Sequence, residues 1–306
     1  MEQNEAHIFG GIDIGSNGSR LLIAEGKPYN DQIIDYTKLN YLRVPLRLGI
    51  DVFDKGYITP EREEMMMKTM QAYRLMMEVY KVEGYKACAT SAMRDASNGM
   101  EIIDRVREQT GIDIQIISGA QEANILYQTH IAEQLSKDKA YLYIDVGGGS
   151  TEVTLYSGDA ILFKESFNIG TIRMLNNSVT PEKWDELRTF IKNKTKGLKS
   201  IRAIGSGGNI NKIFSLSKQK EGKPLRLELL RDYYAELSAA TVEERMHIYN
   251  IRQDRADVIV YALHIYISIM RWAGTSEILV PKIGLSDGLV RMQYLNKIGR
   301  CPDILL

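Results

Sequence analysis

The stretch Ile144-Asp145-Val146-Gly147-Gly148-Gly149-Ser150-Thr151-Glu152 constrains this chain most, because a version of it occurs twice. The other copy is Ile12-Asp13-Ile14-Gly15-Ser16-Asn17-Gly18-Ser19-Arg20. In each, apolar residues run into an Asp, a Gly follows two positions later, small residues make a turn, and an apolar run resumes. Two apolar runs separated by a few turn residues read as a hairpin. Counting seven residues past the Asp gives Arg20 in one copy and Glu152 in the other. Similar turns bearing complementary charge predict two lobes facing each other across a cleft. With 306 residues, the chain is long enough to build both.

Around the hairpins, helix and strand signals alternate, which predicts an α/β architecture with a mixed sheet in each lobe. Thr59-Pro60-Glu61 carries a cap, a proline at the first helical position and an acid in the first turn. The helix it starts is expected to run to about Val82, with Met66, Met70, Tyr73, Met77 and Tyr80 on one face. Such a methionine stripe can serve a promiscuous binding surface, but core packing is the reading adopted. Tyr85–Ala89 and Ile112–Ile117 read as strands, and residues 98–110 as a helix. Ser118-Gly119-Ala120-Gln121-Glu122 opens another helix, and Thr180-Pro181-Glu182 a further one with Trp184, Leu187, Ile191 and Leu198 on its apolar side. Ile201–Ile204 is a short strand leading into Gly205-Ser206-Gly207-Gly208-Asn209. Thr241 with Glu244 makes a capping box.

Turns of Gly, Ser and Asn present backbone N–H groups and hydroxyls to an anion, since glycine lets a ligand approach the backbone closely. Gly15-Ser16-Asn17 and Gly147-Gly148-Gly149-Ser150 both suit phosphate. No GxxxxGK[ST] is present, so a P-loop is excluded, and no GxGxxG opens a helix after a strand. Asp145 and Glu152 flank the second turn and could hold a hard cation such as Mg²⁺, with Asp13 a third candidate carboxylate. For Asp145 the alternative is an Asx-type turn. The four histidines, His7, His130, His247 and His264, do not pair at ligand spacing.

Composition narrows the partners. Lys+Arg and Asp+Glu each number 39, so any attraction for an anion must be local. The basic run Lys192, Lys194, Lys196, Lys199 and Arg202 reads as a solvated helix face, and without aromatic interleaving it predicts no nucleic-acid binding. Only two cysteines occur, Cys88 and Cys301, with no CxxC, which predicts neither disulfides nor zinc and fits a reducing, cytoplasmic setting. The N-terminus lacks a signal pattern, and the most apolar run, Val258–Met270, is too short to span a membrane.

Several segments, taken together, carry a resemblance. They are the two turns, Ala89-Thr90-Ser91-Ala92-Met93-Arg94-Asp95-Ala96, Ile117-Ser118-Gly119-Ala120-Gln121-Glu122-Ala123, Gly205-Ser206-Gly207-Gly208, Arg255-Ala256-Asp257-Val258-Ile259 and Gly284-Leu285-Ser286-Asp287-Gly288. In this order they resemble the exopolyphosphatase / guanosine pentaphosphate phosphohydrolase family over nearly the whole chain. The resemblance implies the two-lobed actin-like fold of the sugar kinase/Hsp70/actin superfamily, with ribonuclease-H-like mixed sheets flanked by helices. It implies a first lobe of residues 1–124 plus 286–306, and a second of 125–285. The chain resembles short members lacking the C-terminal HD-type region.

By the same resemblance Glu122 matches the base that activates water. Arg94 and Arg20 match arginines that meet phosphate, as arginine does bidentately. The Gly207-Gly208 loop is a further phosphate contact. The implied activity is Mg²⁺-dependent release of terminal phosphate from inorganic polyphosphate or guanosine pentaphosphate, and a homodimer is the expected assembly. An ATP-dependent kinase of the same superfamily and a non-enzymatic alarmone sensor are the competing readings. Three departures stand out: Gly18 replaces a usual serine, Asn209 a threonine and Ser286 an arginine.

Overall fold

The computed structural model describes residues 6–28, 34–127, 139–157, 160–198 and 200–299. His130, Lys199 and Cys301 lie outside the described residues. The chain divides into two compact units, Met1–Thr129 with Gly284–Leu306, and His130–Ile283.

The first unit is built on strands β1 (His7–Ile14), β2 (Ser19–Pro28), β3 (Ile34–Val44), β4 (Gly84–Ala89) and β5 (Ile114–Ile116), in the order β3-β2-β1-β4-β5. β1 runs antiparallel to β2, and β2 to β3, while β1, β4 and β5 are parallel. The period-2 alternation of a strand sorts the side chains. Ile12, Ile14, Leu21 and Ile23 point into a core shared with the Pro60–Val79 helix, where Met66, Met70, Tyr73 and Met77 are buried. The methionine stripe is therefore core. Phe9, Leu22 and Ala24 point the other way, onto Val290 and Tyr294 of the Leu285–Lys297 helix. Asp13 falls on that second face of the sheet.

The Pro60 helix stops at Val79 rather than Val82 because Lys81 adopts a positive φ of 52° and the Val82 N–H turns back to the Met77 carbonyl, 2.9 Å away. That is a Schellman-type closure without glycine.

The second unit repeats the plan. Its strands are β6 (Ala140–Val146), β7 (Thr151–Ser157), β8 (Ala160–Phe167), β9 (Ile201–Ser206), β10 (Leu225–Arg226) and β11 (Glu277–Leu279). Their order, β10-β11-β9-β6-β7-β8, contains the same five-strand series with one short strand added at the edge. The directions match too: β7 is antiparallel to both β6 and β8, and β6, β9 and β11 are parallel. The two mixed sheets flanked by helices are thus one topology used twice.

The helix Ile259–Trp272 buries Ile259, Leu263, Ile265, Tyr266, Ile267, Ile269 and Met270. Apolar residues on nearly every side mark a helix sunk in the core. Leu187 and Ile191 are buried on the Pro181–Thr195 helix, whereas Leu198 follows its end, closed by Gly197 at φ 81°. Among the described residues, no helix is long and apolar enough to cross a membrane.

Candidate active site

Every candidate residue of the first unit lies at the carboxyl ends of its parallel strands, where sheets of this kind commonly place ligands. The β1–β2 turn is closed by the Gly15 N–H donating to the Gly18 carbonyl at 3.1 Å. The turn's other carbonyls point away from the strands: that of Ser16 accepts from the Gly49 N–H (2.9 Å) and that of Asn17 from the Arg47 N–H (3.3 Å), at the start of the helix Leu48–Lys55. Ser16 and Ser91 share a buried hydroxyl hydrogen bond of 2.9 Å, pinning the turn to the segment after β4.

The second unit repeats this arrangement. The Gly147 N–H donates to the Ser150 carbonyl at 2.9 Å. The Gly147 carbonyl accepts from Thr171 (3.0 Å) and that of Gly148 from Ile172 (2.8 Å), both in the first turn of the helix Thr171–Leu175. Arg173 Nε adds a 2.7 Å bond to the Gly149 carbonyl. With their carbonyls engaged, the turns present amides. Among the described residues, the N–H groups of Ser16, Gly18, Gly148 and Gly149 donate to no acceptor in the chain. Ser16, Gly18 and Gly149 are buried, and a buried amide needs a partner, so both turns have the form of an anion nest.

Charge separates the two copies. In the first, Asp13 and Arg20 are direct cross-strand partners and form an ion pair. In the second, the same register sets Asp145 opposite Glu152. Carboxylate oxygens of these two come within 4.8 Å of one another, and Glu152 is only 1% exposed. Like charges directly opposite repel. Ser166 on β8 donates to Glu152 Oε1 at 2.8 Å, which orients that carboxylate. Two acidic oxygens beside an amide-lined turn fit a hard divalent cation.

Glu122 sits in the first turn of the helix Gly119–Tyr127. That turn is fixed by a reciprocal capping box: the Ser118 N–H donates to Gln121 Oε1 (2.9 Å), and the Gln121 N–H to Ser118 Oγ (3.2 Å). Arg94, on the short helix after β4, donates from Nη1 to the Ile117 carbonyl at 2.9 Å, tying it to the residue just before this cap.

Cys88, register partner of Asp13 on β4, reports the charge gathered at this corner. Burial pushes its thiol up to about 12, the negative charges of Asp13 and Glu122 add to that, and Lys86 opposes. A thiol so raised is unreactive. Cys88 in the native protein is expected to resist iodoacetamide at pH 8, and peptide mapping that found rapid alkylation at Cys88 would contradict the burial.

Gly207 caps the helix Gly208–Leu216 at φ 117°, a conformation L side chains rarely adopt. The carbonyl of its neighbour Ser206 accepts a short bond from the buried Tyr266 hydroxyl. Burial first, then the Asp145 charge, raises that phenol well above its ordinary range, so it remains a donor. Of the three departures, Ser286 is buried with its carbonyl against Gly11, Asn209 lies in the first turn of the Gly208 helix, and Gly18 lies beside Arg43. Lys192, Lys194 and Lys196 are exposed, as a solvated face requires, and Arg202 lies 3.6 Å from Glu277. No local sequence motif marks Ser166, Arg173 or Arg43. They lie beyond the repeated hairpins, on third strands and a following helix that carry no shared motif.

The profile of the Ppx/GppA phosphatase family matches residues 33–297. A bifunctional 3-dehydroquinate synthase/phosphatase of Fusobacterium nucleatum is 31% identical over 243 residues, which is 78% of this chain and 34% of that protein. The chain thus spans about a third of that relative's length. Two solved structures share the fold. An exopolyphosphatase from Cytophaga hutchinsonii superposes with a TM-score of 0.80 at 24% identity, covering 96% of this chain and 98% of that one. The Aquifex aeolicus member of the Ppx/GppA family gives 0.74 at 24% identity, covering 96% and 99%. By fold this is a doubled mixed-sheet protein with a small-residue turn at the same corner of each sheet. The chain belongs to the Ppx/GppA phosphatase family.

Proposed function

We propose that this chain is a Mg²⁺-dependent phosphohydrolase that releases terminal phosphate from inorganic polyphosphate or guanosine pentaphosphate. The observation that carries the reading is the facing pair Asp145 and Glu152 beside a turn of acceptor-free amides, in a chain of this family. Glu122 takes a proton from water as the water oxygen attacks the terminal phosphorus. The bond from that phosphorus to its bridging oxygen breaks, and the electron pair leaves with the shortened chain. Arg20 and the amides of Ser16, Gly18, Gly148 and Gly149 hold phosphate oxygens, with Gly207 and Gly208 supplying a further contact. Arg94 secures the carbonyl that precedes the Glu122 helix. Asp145 and Glu152 would hold Mg²⁺, which supplies charge neutralisation on the phosphate. Asp13, already paired with Arg20, sets the direction of that guanidinium in this scheme. The proposal includes a cytoplasmic setting and a homodimer.

The test is phosphate release from long polyphosphate, short polyphosphate, guanosine pentaphosphate and ATP, with Mg²⁺ and after chelation. Release from one of the first three without an acceptor molecule, lost on chelation, is the expected result. Phosphate transfer that occurs only from ATP to an acceptor would replace the reading by a kinase, and binding without any release would replace it by a sensor.

Ser166 gives a separate check. A group that orients a ligating carboxylate typically contributes about 10- to 100-fold in metal affinity. Ser166→Ala is expected to weaken the Mg²⁺-dependent rise in melting temperature accordingly, and Ser166→Thr to restore it. An unchanged Mg²⁺ response in Ser166→Ala would remove the positioning role.

A further inference from the structure

The two hairpins place equivalent rows of side chains across three strands. In the first unit the row is Asp13, Arg20 and Arg43, each opposite the next in register. In the second it is Asp145, Glu152 and Ser166. One row sets two carboxylates on neighbouring strands, and the other sets two arginines on neighbouring strands beside a single carboxylate, Asp13. Adjacent like charges across a ladder are unfavourable in themselves. Asp13 answers one of the two cations in the first row, so that row carries one positive charge in excess beside an amide-lined turn, a setting that favours an anion.

Arg43 lies against that turn. A Cβ built on Gly18 would stand 3.1 Å from Arg43 Nη2 and 3.3 Å from its Cζ, so the guanidinium packs over position 18 and occupies the space a side chain there would need. The buried Gly18 amide belongs to that residue, and the buried Ser16 amide to the same turn. A planar fork of donors thus lies against a residue of the amide-lined turn, and guanidinium and backbone donors of this kind together suit a phosphate with several free oxygens.

We propose that Arg43 is a phosphate-binding residue of the first turn. It shares with Arg20 a chain bearing two or more linked phosphates and so favours such chains over a single phosphate. This rests on the phosphohydrolase reading of the same site, with Arg43 setting affinity rather than performing the chemical step.

The test is calorimetric titration of the purified chain with inorganic tripolyphosphate and, separately, with orthophosphate, in a buffer free of other polyanions. Charge-assisted hydrogen bonds of ordinary strength predict that Arg43→Gln raises the Kd for tripolyphosphate roughly 10- to 100-fold. Orthophosphate binding should change far less. Arg43→Lys should fall between, keeping the charge but losing the fork. The Mg²⁺-dependent melting shift should be untouched, because Asp145 and Glu152 belong to the other row. Wild-type tripolyphosphate affinity in Arg43→Gln overturns the proposal. If that variant does not fold, Arg43→Lys decides, wild-type affinity overturning the proposal and several-fold weakening supporting it. Binding is read apart from turnover, so the two readings fail separately. Arg43-dependent binding without phosphate release would keep the site and remove the hydrolase. Normal release with Arg43-independent binding would do the reverse.

Discussion

Phosphate release by a Glu122→Gln protein is expected to fall by roughly 10²- to 10⁴-fold, the range that a positioned general base contributes. The substitution keeps size and helix position and removes only the basic oxygen. The local fold should survive it, because the cap of this helix is made by Ser118 and Gln121. Melting temperature and tripolyphosphate affinity should therefore stay near wild type, with the loss in kcat rather than in KM. A rate equal to wild type would remove Glu122 from the reaction whatever the substrate. A parallel loss of affinity would place Glu122 in binding instead.

The second large effect concerns a residue outside the repeated motif. Gly170 precedes the helix Thr171–Leu175, and a Cβ there would lie 2.4 Å from the Gly148 carbonyl oxygen and 2.5 Å from the carbonyl carbons of Gly148 and Gly149. These are backbone atoms already held by the amides of Thr171 and Ile172 and by Arg173, so no side-chain rotation can relieve the overlap. Overpacking of this kind costs about 1–3 kcal/mol, or roughly 2–12 °C in Tm for a unit of this size. Gly170→Ala should also lose phosphate release beyond what its stability explains, because the turn itself must shift. An alanine variant with wild-type melting and activity would show that the helix start and the turn can part without consequence.

The parts of the fold that could be read in the sequence are those whose local chemistry closes on itself. Each hairpin announced itself by an Asp and a small-residue turn. Thr241 with Glu244 and Ser118 with Gln121 are reciprocal boxes that need no distant partner. The third strands were not legible. β3 carries Asp35, Lys38, Asn40 and Arg43 among its apolar residues, and Ala160, Ile161 and Leu162 begin the edge strand β8 with exposed side chains. Edge positions lack the two-sided burial that makes a strand obvious. The deeper repeat, five strands in one order, was hidden for the same reason. β5 (Ile114–Ile116) is shorter than the apolar pattern Ile112–Ile117 predicts, because the flanking Ile112 and Ile117 are buried without joining the ladder. Among the candidate site residues, motifs carried Glu122, Arg94 and the turns. Cross-strand register alone revealed Arg43 and Ser166, and register is a property of pairing rather than of any one segment.

The capping of the second turn by the amides of Thr171, Ile172 and Arg173 has a thermodynamic meaning. Turning peptide groups toward a ligand ordinarily takes free energy at the moment of binding, and that reorganisation is subtracted from affinity. Here the carbonyls of Gly147 and Gly148 are committed elsewhere when the chain folds, so the N–H groups of Gly148 and Gly149, which share their peptide planes, are oriented before any anion arrives. The orientation is a property of folding, and under the proposed function a phosphate would meet dipoles that need not move.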